Sequence, residues 1–236
     1  MNELLNRTAP LNKKDLFARM REIIALGAQV MPKIPRYNGT GGPGNFLEDL
    51  IGLRAGNMDI ADIIGWEVKY YTPQTNYITL FHKEPGPAGI MRYMVSKYGW
   101  KDAQGRLSFR HTIAGRTDRF QVWDDAGNVI VRPLKGNGPV PIWTHDTILN
   151  AANKLKRLLL VKGERSGDKV KFFRADMFES LHLTLLVSEL INGTVAIDFD
   201  AREMHPGGTA LRNHGTKFRV MPDNVCRLYL KKERFT

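Results

Sequence analysis

Apolar positions first recur at helical spacing in Leu16, Phe17, Met20, Ile23, Ile24 and Leu26. Asn12, three residues before Asp15, predicts the N-cap of this helix, and Gly27 its end. A Pro/Gly-rich loop over 31–44 closes on Asn38-Gly39-Thr40-Gly41-Gly42-Pro43-Gly44. Pro43 there suits the first turn of a second helix, whose stripe is Phe46, Leu47, Leu50 and Ile51 and which closes near Gly56. Strands are expected at 58–62, 66–71 and 77–82, the last an alternating β-branched and aromatic run. A short helix over 90–97 follows Pro85-Gly86-Pro87. Residues 107–132 read as a meander, with Asp125-Ala126-Gly127-Asn128 as its hairpin turn. A helix over 146–156 leads into a buried strand at 157–161. A strand at 170–174 precedes a long helix at 177–191, stopped by Asn192-Gly193. Further strands at 194–199 and 218–221 flank a basic loop, and Pro222-Asp223 opens a final helix.

Helices and strands mix throughout, with no repeat and no linker longer than a loop. The pattern predicts a single α/β domain with two lobes around a cleft. The chain of 236 residues is long enough for a sizeable core. Its formal net charge of +11 comes from Lys and Arg spread along the whole sequence, which predicts basic faces and a nucleic-acid partner. A lone cysteine, Cys226, excludes an internal disulfide and any multi-cysteine zinc site; it is expected in the core on the apolar side of the last helix. No apolar run approaches the roughly 20 residues that span a bilayer, and the N-terminus has no apolar leader core, so the expected location is cytoplasmic.

One segment carries chemistry: Asp62-Ile63-Ile64-Gly65-Trp66-Glu67-Val68-Lys69. Side chains alternate along a strand, so Glu67 and Lys69 share a face, and Asp62 before the Gly65 turn can lie opposite them. Two carboxylates converging in this way can hold Mg²⁺, with the Val68 carbonyl as a third oxygen ligand, and Lys69 beside them stabilises developing negative charge. That equipment suits phosphodiester hydrolysis. The bland alternative is a solvated salt bridge on a hairpin. Asp59 rivals Asp62 as first acid, and their odd separation puts them on opposite faces of a regular strand. Glu48 lies on the preceding helix. His145-Asp146 reads as a helix-cap region and His182 as a packed or capping histidine, while the 39–44 loop lacks the lysine of a P-loop.

Base reading needs donors that reach guanine edges. The segment 202–219 supplies Arg202, His205, Arg212, His214, Lys217 and Arg219, with glycines that permit close approach. Arg106, Arg110, His111, Arg116 and Arg119 form a second candidate surface, for phosphates.

Helix acid, strand Asp and Glu-x-Lys, in that order, resemble the PD-(D/E)XK nucleases. Gly44-Asn45-Phe46-Leu47-Glu48, Ala61 to Lys69, and Ile78-Thr79-Leu80-Phe81-His82-Lys83-Glu84-Pro85 are similar to the MvaI/BcnI restriction endonucleases, relatives of the nicking enzyme MutH. The resemblance implies a mixed sheet flanked by helices. It also implies a monomeric, Mg²⁺-dependent type II endonuclease that nicks each strand of a CCNGG-like duplex site in turn, with a cognate methyltransferase as a possible partner. It makes Asp62 and Glu67 metal ligands, Lys69 the catalytic lysine and Glu48 a supporting acid. His82 and His214 then contact the central base pair; Lys83, Arg110, Arg212, Lys217 and Arg219 are expected on DNA as hydrogen-bond donors and cations. The catalytic elements centre on 40–100 and the recognition elements on 103–145 and 200–221. Ala61 replaces the family's proline, a residue that only shapes the turn. A MutH-like nickase and a catalytically dead DNA-binding regulator are the alternatives.

Overall fold

A computed structural model of the chain describes Leu5, residues 8–53 and residues 65–235. The expected strand at 58–62, with Asp59 and Asp62, lies outside the described residues. In chain order the elements are helix α1 (Lys13–Ala25), strand β1 (Ala28–Val30), helix α2 (Gly42–Ile51), strands β2 (Glu67–Tyr71) and β3 (Ile78–His82), and helix α3 (Ile90–Tyr98). Strands β4 (Trp100–Lys101), β5 (Leu107–Ile113), β6 (Phe120–Asp125), β7 (Asn128–Pro133) and β8 (Ile142–Thr144) follow, then helix α4 (His145–Ala152). Strands β9 (Arg157–Ser166) and β10 (Lys169–Leu181), helix α5 (Leu183–Ile191), and strands β11 (Val195–Glu203), β12 (Leu211–Asn213), β13 (Lys217–Val220) and β14 (Tyr229–Phe235) complete the chain.

These elements form two compact units, each assembled from separate chain segments: residues 1–78, 154–181 and 229–236 in the first, and 79–153 and 182–228 in the second. In the first unit the strand order is β1-β10-β9-β2, with β14 also pairing β10. Strands β2 and β9 run parallel, Glu67 opposite Leu158, and the other pairs are antiparallel. Alternation sorts this sheet into two faces. Val68, Leu159, Val161, Ala175 and Met177 face a core built with Leu16, Met20 and Ile23 of α1 and Phe46, Leu47 and Leu50 of α2. Each such side chain contributes about 1.5–3 kcal/mol by leaving water. The other face carries Glu67, Lys69 and Tyr71 together with buried Leu158, Leu160 and Phe178. Asn12 Oδ1 accepts from the Asp15 amide at 3.0 Å, so the predicted cap of α1 is present.

The second unit holds a six-stranded sheet, ordered β3-β13-β11-β5-β4 with β12 on β11, and a small sheet β6-β7-β8. Phe109, Ile113, Ile197, Phe199, Phe218 and Val220 are buried together on one side of the larger sheet. Aromatic edges lock this core: Phe109 lies 5.4 Å from Phe199 and 5.7 Å from Phe120, and Phe81 stacks on Phe218 at 4.6 Å. The predicted hairpin forms between β6 and β7. Ala126 and Gly127 both take positive φ (47° and 88°), as its two-residue turn requires.

Several expectations need correction. Residues 177–181 are strand rather than helix: Met177 to Glu179 pair with β9 on one side, Met177 to Leu181 apart from Ser180 pair with β14 on the other, and the helix starts only after His182. An apolar run of this length fits either period, and pairing partners distant in sequence decide it. Helix α2 stops at Gly52 (φ 95°) instead of near Gly56. The expected helix at 146–156 is α4 followed by a 3₁₀ turn at Asn153–Lys156. After Pro222 comes a seven-residue 3₁₀ helix and then β14, not an α-helix. Cys226 in that turn is exposed, because a three-residue period turns it away from buried Val225 and Leu228.

Candidate active site

Strand β2 presents Glu67 and Lys69 on the face away from the helices, and Lys69 Nζ lies 2.7 Å from Glu67 Oε1. Glu67 is only 4% exposed, so the pair is not a solvated surface bridge. A second ammonium reaches the same oxygen: Lys154 Nζ stands 3.6 Å from Glu67 Oε1. Lys154 belongs to the 3₁₀ turn that feeds β9, and parallel pairing of β9 with β2 brings the turn beside Glu67. Tyr229 closes the group. Its hydroxyl donates to the Leu155 carbonyl at 2.8 Å, and burial, with the nearby Glu67 carboxylate, pushes its pKa well above the usual range. One buried carboxylate with two ammonium groups leaves local positive charge where an anionic substrate oxygen would be stabilised.

Glu67 and the Val68 carbonyl offer hard oxygen donors, which suit Mg²⁺ or Mn²⁺ rather than a soft metal. The first acid expected from the sequence, Asp62, and its rival Asp59 lie outside the described residues. Among the described residues no three His, Cys, Asp or Glu side chains converge as a metal cluster. Glu48 on α2 forms an ion pair with Arg36 at 3.0 Å, and Arg36 also holds Asp49 at 2.9 Å. Tyr37 donates to Asp49 at 2.7 Å, and its pKa is raised to about 12, chiefly by burial.

The second unit gathers most of the predicted DNA-contacting residues on one sheet face. Register places Arg110 opposite Asp200, Thr112 and Lys217 opposite Asp198, and Arg212 opposite Arg202. All point away from the aromatic core. Arg110 Nε meets Asp200 at 3.1 Å, Lys217 Nζ meets Asp200 at 3.5 Å, and Arg219 Nη1 meets Asp198 at 3.0 Å. Arg202 is held below its ordinary pKa by desolvation and by Arg106, Arg212 and Arg110, with Asp102 opposing. Five cations thus share the face with two aspartates.

His82 closes β3, and a Cβ added at Gly215 would lie 3.4 Å from its ring. Glu84 braces the same corner, accepting from Asn213 Nδ2 at 2.7 Å and from the Thr216 amide at 2.6 Å. The Lys83 amide donates to the Thr216 carbonyl at 3.0 Å, and the His214 amide to the Asp200 carbonyl at 2.9 Å. His82 and His214 are therefore carried by cross-linked segments. Glu84 as the brace was not foreseen from the sequence; its adjacency to the Phe81-His82-Lys83 run was the only local signal.

The second candidate surface is not continuous. Strand alternation sends Arg110 to the charged face and His111 to the aromatic side, where it lies 4.7 Å from Phe109 and 5.3 Å from Phe120. Burial first, and Arg119 second, lower the His111 pKa. His145 pairs with Asp124 at 3.0 Å beside the Thr144 cap of α4, and His182 Nδ1 caps α5 by accepting from the Leu185 amide. Both are the structural roles expected of them.

Residues 19–229 match the family model described as the MvaI/BcnI restriction endonuclease family. The chain belongs to this family. As a family member it is a restriction endonuclease, a site-specific deoxyribonuclease. Its fold is similar to that of a solved restriction endonuclease MvaI–cognate DNA substrate complex, at 22% identity over 99% of each chain and a TM-score of 0.77. It is also similar to restriction endonuclease MvaI in the absence of DNA, at 19% identity over 98% of this chain and 100% of that one, with a TM-score of 0.58. No curated protein matches the chain in sequence. Among the described residues no helix of this MvaI/BcnI member is long and apolar enough to cross a membrane.

Proposed function

We propose that this chain cuts both strands of double-stranded DNA at a short CCNGG-like site as a monomer, nicking one strand and then the other with Mg²⁺. The observation that carries the reading is the buried Glu67 carboxylate 2.7 Å from Lys69, in a member of a restriction endonuclease family. Asp62, Glu67 and the Val68 carbonyl would hold the metal, with Glu48 as supporting acid. A divalent cation held there would neutralise charge on the scissile phosphate and acidify the attacking water. Lys69 orients the attacking water and stabilises the charge that develops on the phosphoryl oxygens; its compact mobile ammonium suits that task better than a rigid guanidinium fork.

Recognition falls to the second unit. Arg212, Lys217 and Arg219 offer donors for guanine O6 and N7 or for phosphates, Arg110 and Lys83 for the backbone, and His82 and His214 for the central base pair. The whole chain acts as one nuclease domain, with catalytic elements centred on 40–100 and recognition elements in 103–145 and 200–221. A methyltransferase that protects the same site is the expected partner, and the cytoplasm the expected location.

Digesting phage DNA and a supercoiled one-site plasmid with purified protein and Mg²⁺, then sequencing the ends by run-off, tests all of this together. Linear plasmid with uniform ends supports the proposal, whereas persistent open circles point to a nickase. Asp62→Asn should abolish cutting and leave binding intact or tighter; retained cleavage would reject Asp62.

A further inference from the structure

The sheet face that carries Glu67 and Lys69 continues beyond them. The register of the first unit aligns Tyr71, Lys162 and Arg174 in one row across β2, β9 and β10. It aligns Lys69, Leu160, Asp176 and Arg234 in a second row that reaches β14. Glu67, Leu158, Phe178 and Lys232 form a third. The opposite face is the one covered by α1, as the ion pairs of Lys13 with Glu179 and Glu233 show, both at odd offset from Asp176 along their rows. Leu158, Leu160 and Phe178 on this face are buried, so what it presents beside the candidate catalytic pair is the surrounding set Lys162, Arg174, Lys232 and Arg234.

A single acid organises three of these four cations. Asp176 is 2% exposed and lies 2.7 Å from Arg234 Nε, 3.1 Å from Arg174 Nε and 3.8 Å from Lys232 Nζ. Arg174 also donates to the Tyr71 hydroxyl, and the Lys162 ammonium sits 5.9 Å from the ring centres of Tyr71 and Phe173. Among the described residues these four cations face one carboxylate, Asp176, and the contacts that hold them in place reduce the entropy lost on binding. Lys232 and Arg234 remain exposed to solvent. Three strand-to-strand steps separate Lys69 from Arg234, about 14 Å, the length of roughly four base pairs of duplex.

We propose that this face is a track for the sugar–phosphate backbone of duplex DNA, leading from the catalytic pair across β9 and β10 to β14, with Lys162, Arg174, Lys232 and Arg234 as its phosphate contacts. The inference rests on the proposed endonuclease function and adds a backbone-binding element in the unit that holds Glu67, apart from the cationic face of the other unit.

The test is duplex binding measured by fluorescence anisotropy in EDTA, from about 50 to 200 mM KCl, for wild type, Lys232→Ala, Arg234→Ala and the double variant. Lys14→Ala, on the exposed side of α1, is the control, and melting curves verify folding. Each single variant should weaken binding about 3- to 8-fold near 0.1 M salt and flatten the slope of log K against log salt by about 0.9, the double variant by about twice that. Slopes equal to wild type in correctly folded variants would overturn the track while leaving the endonuclease reading intact. A wild-type protein that neither binds nor cuts duplex DNA would overturn both.

Discussion

Glu67 is served by two ammonium groups that arrive by different routes. Lys69 is two residues along the same strand, so its side of the sheet follows from alternation alone and was legible in the sequence. Lys154 arrives through a parallel strand pairing with a distant segment, and no local pattern announces it. The two should behave differently when removed. Lys69→Ala is expected to slow single-turnover plasmid cleavage by about 10²- to 10³-fold while DNA affinity stays within a few fold, as fits loss of a charge that stabilises the transition state. Lys154→Ala should slow it by only about 10-fold and lower Tm, because a buried carboxylate loses one of two partners; Lys154→Arg should recover most of the rate. Equal rates for wild type and Lys154→Ala would show that the second lysine is only structural.

At the level of elements, the sequence conveyed local devices well, namely the Asn12 cap and the Ala126-Gly127 turn, but not the pairing of β5, β11 and β13 that brings Arg110, Lys217 and Arg219 to one face. It failed where a distant partner decides, as in β10, whose apolar residues fit a helix until β9 and β14 flank them. The same alternation that gathers the cations removes His111 from them. A depressed His111 pKa means that the unfolded chain takes up a proton more readily than the fold does. Its contribution to stability is therefore present above the unfolded value near 6.5 and is lost as pH falls through the lower folded value. Melting temperature should drop between pH 7 and 5, and drop less in His111→Phe; parallel curves would contradict this. Strand pairing itself can be probed at Gly163, where an added Cβ would sit 2.5 Å from the Lys171 carbonyl oxygen and 2.9 Å from Tyr70. Gly163→Ala is expected to destabilise the protein by about 1–3 kcal/mol in urea unfolding.

For the whole molecule, each unit carries one cation-rich sheet face, its cations held by Asp176 in the first unit and by Asp198 and Asp200 in the second. Duplex affinity should consequently be steep in salt: with six or more phosphates engaged, about 10³-fold weaker at 200 than at 50 mM KCl, and a shallow dependence would show that few of these cations meet phosphates. The split of the chain has one more effect. The polypeptide leaves the first unit after Ile78, builds part of the second, and returns only at Lys154. A nascent chain still emerging from the ribosome thus carries Glu67 and Lys69 long before β9 exists to hold β2 in place. A translation product that stops before β9 would lack the strand that holds the proposed catalytic pair in place, so the proposed cutting centre cannot assemble until β9 has been made.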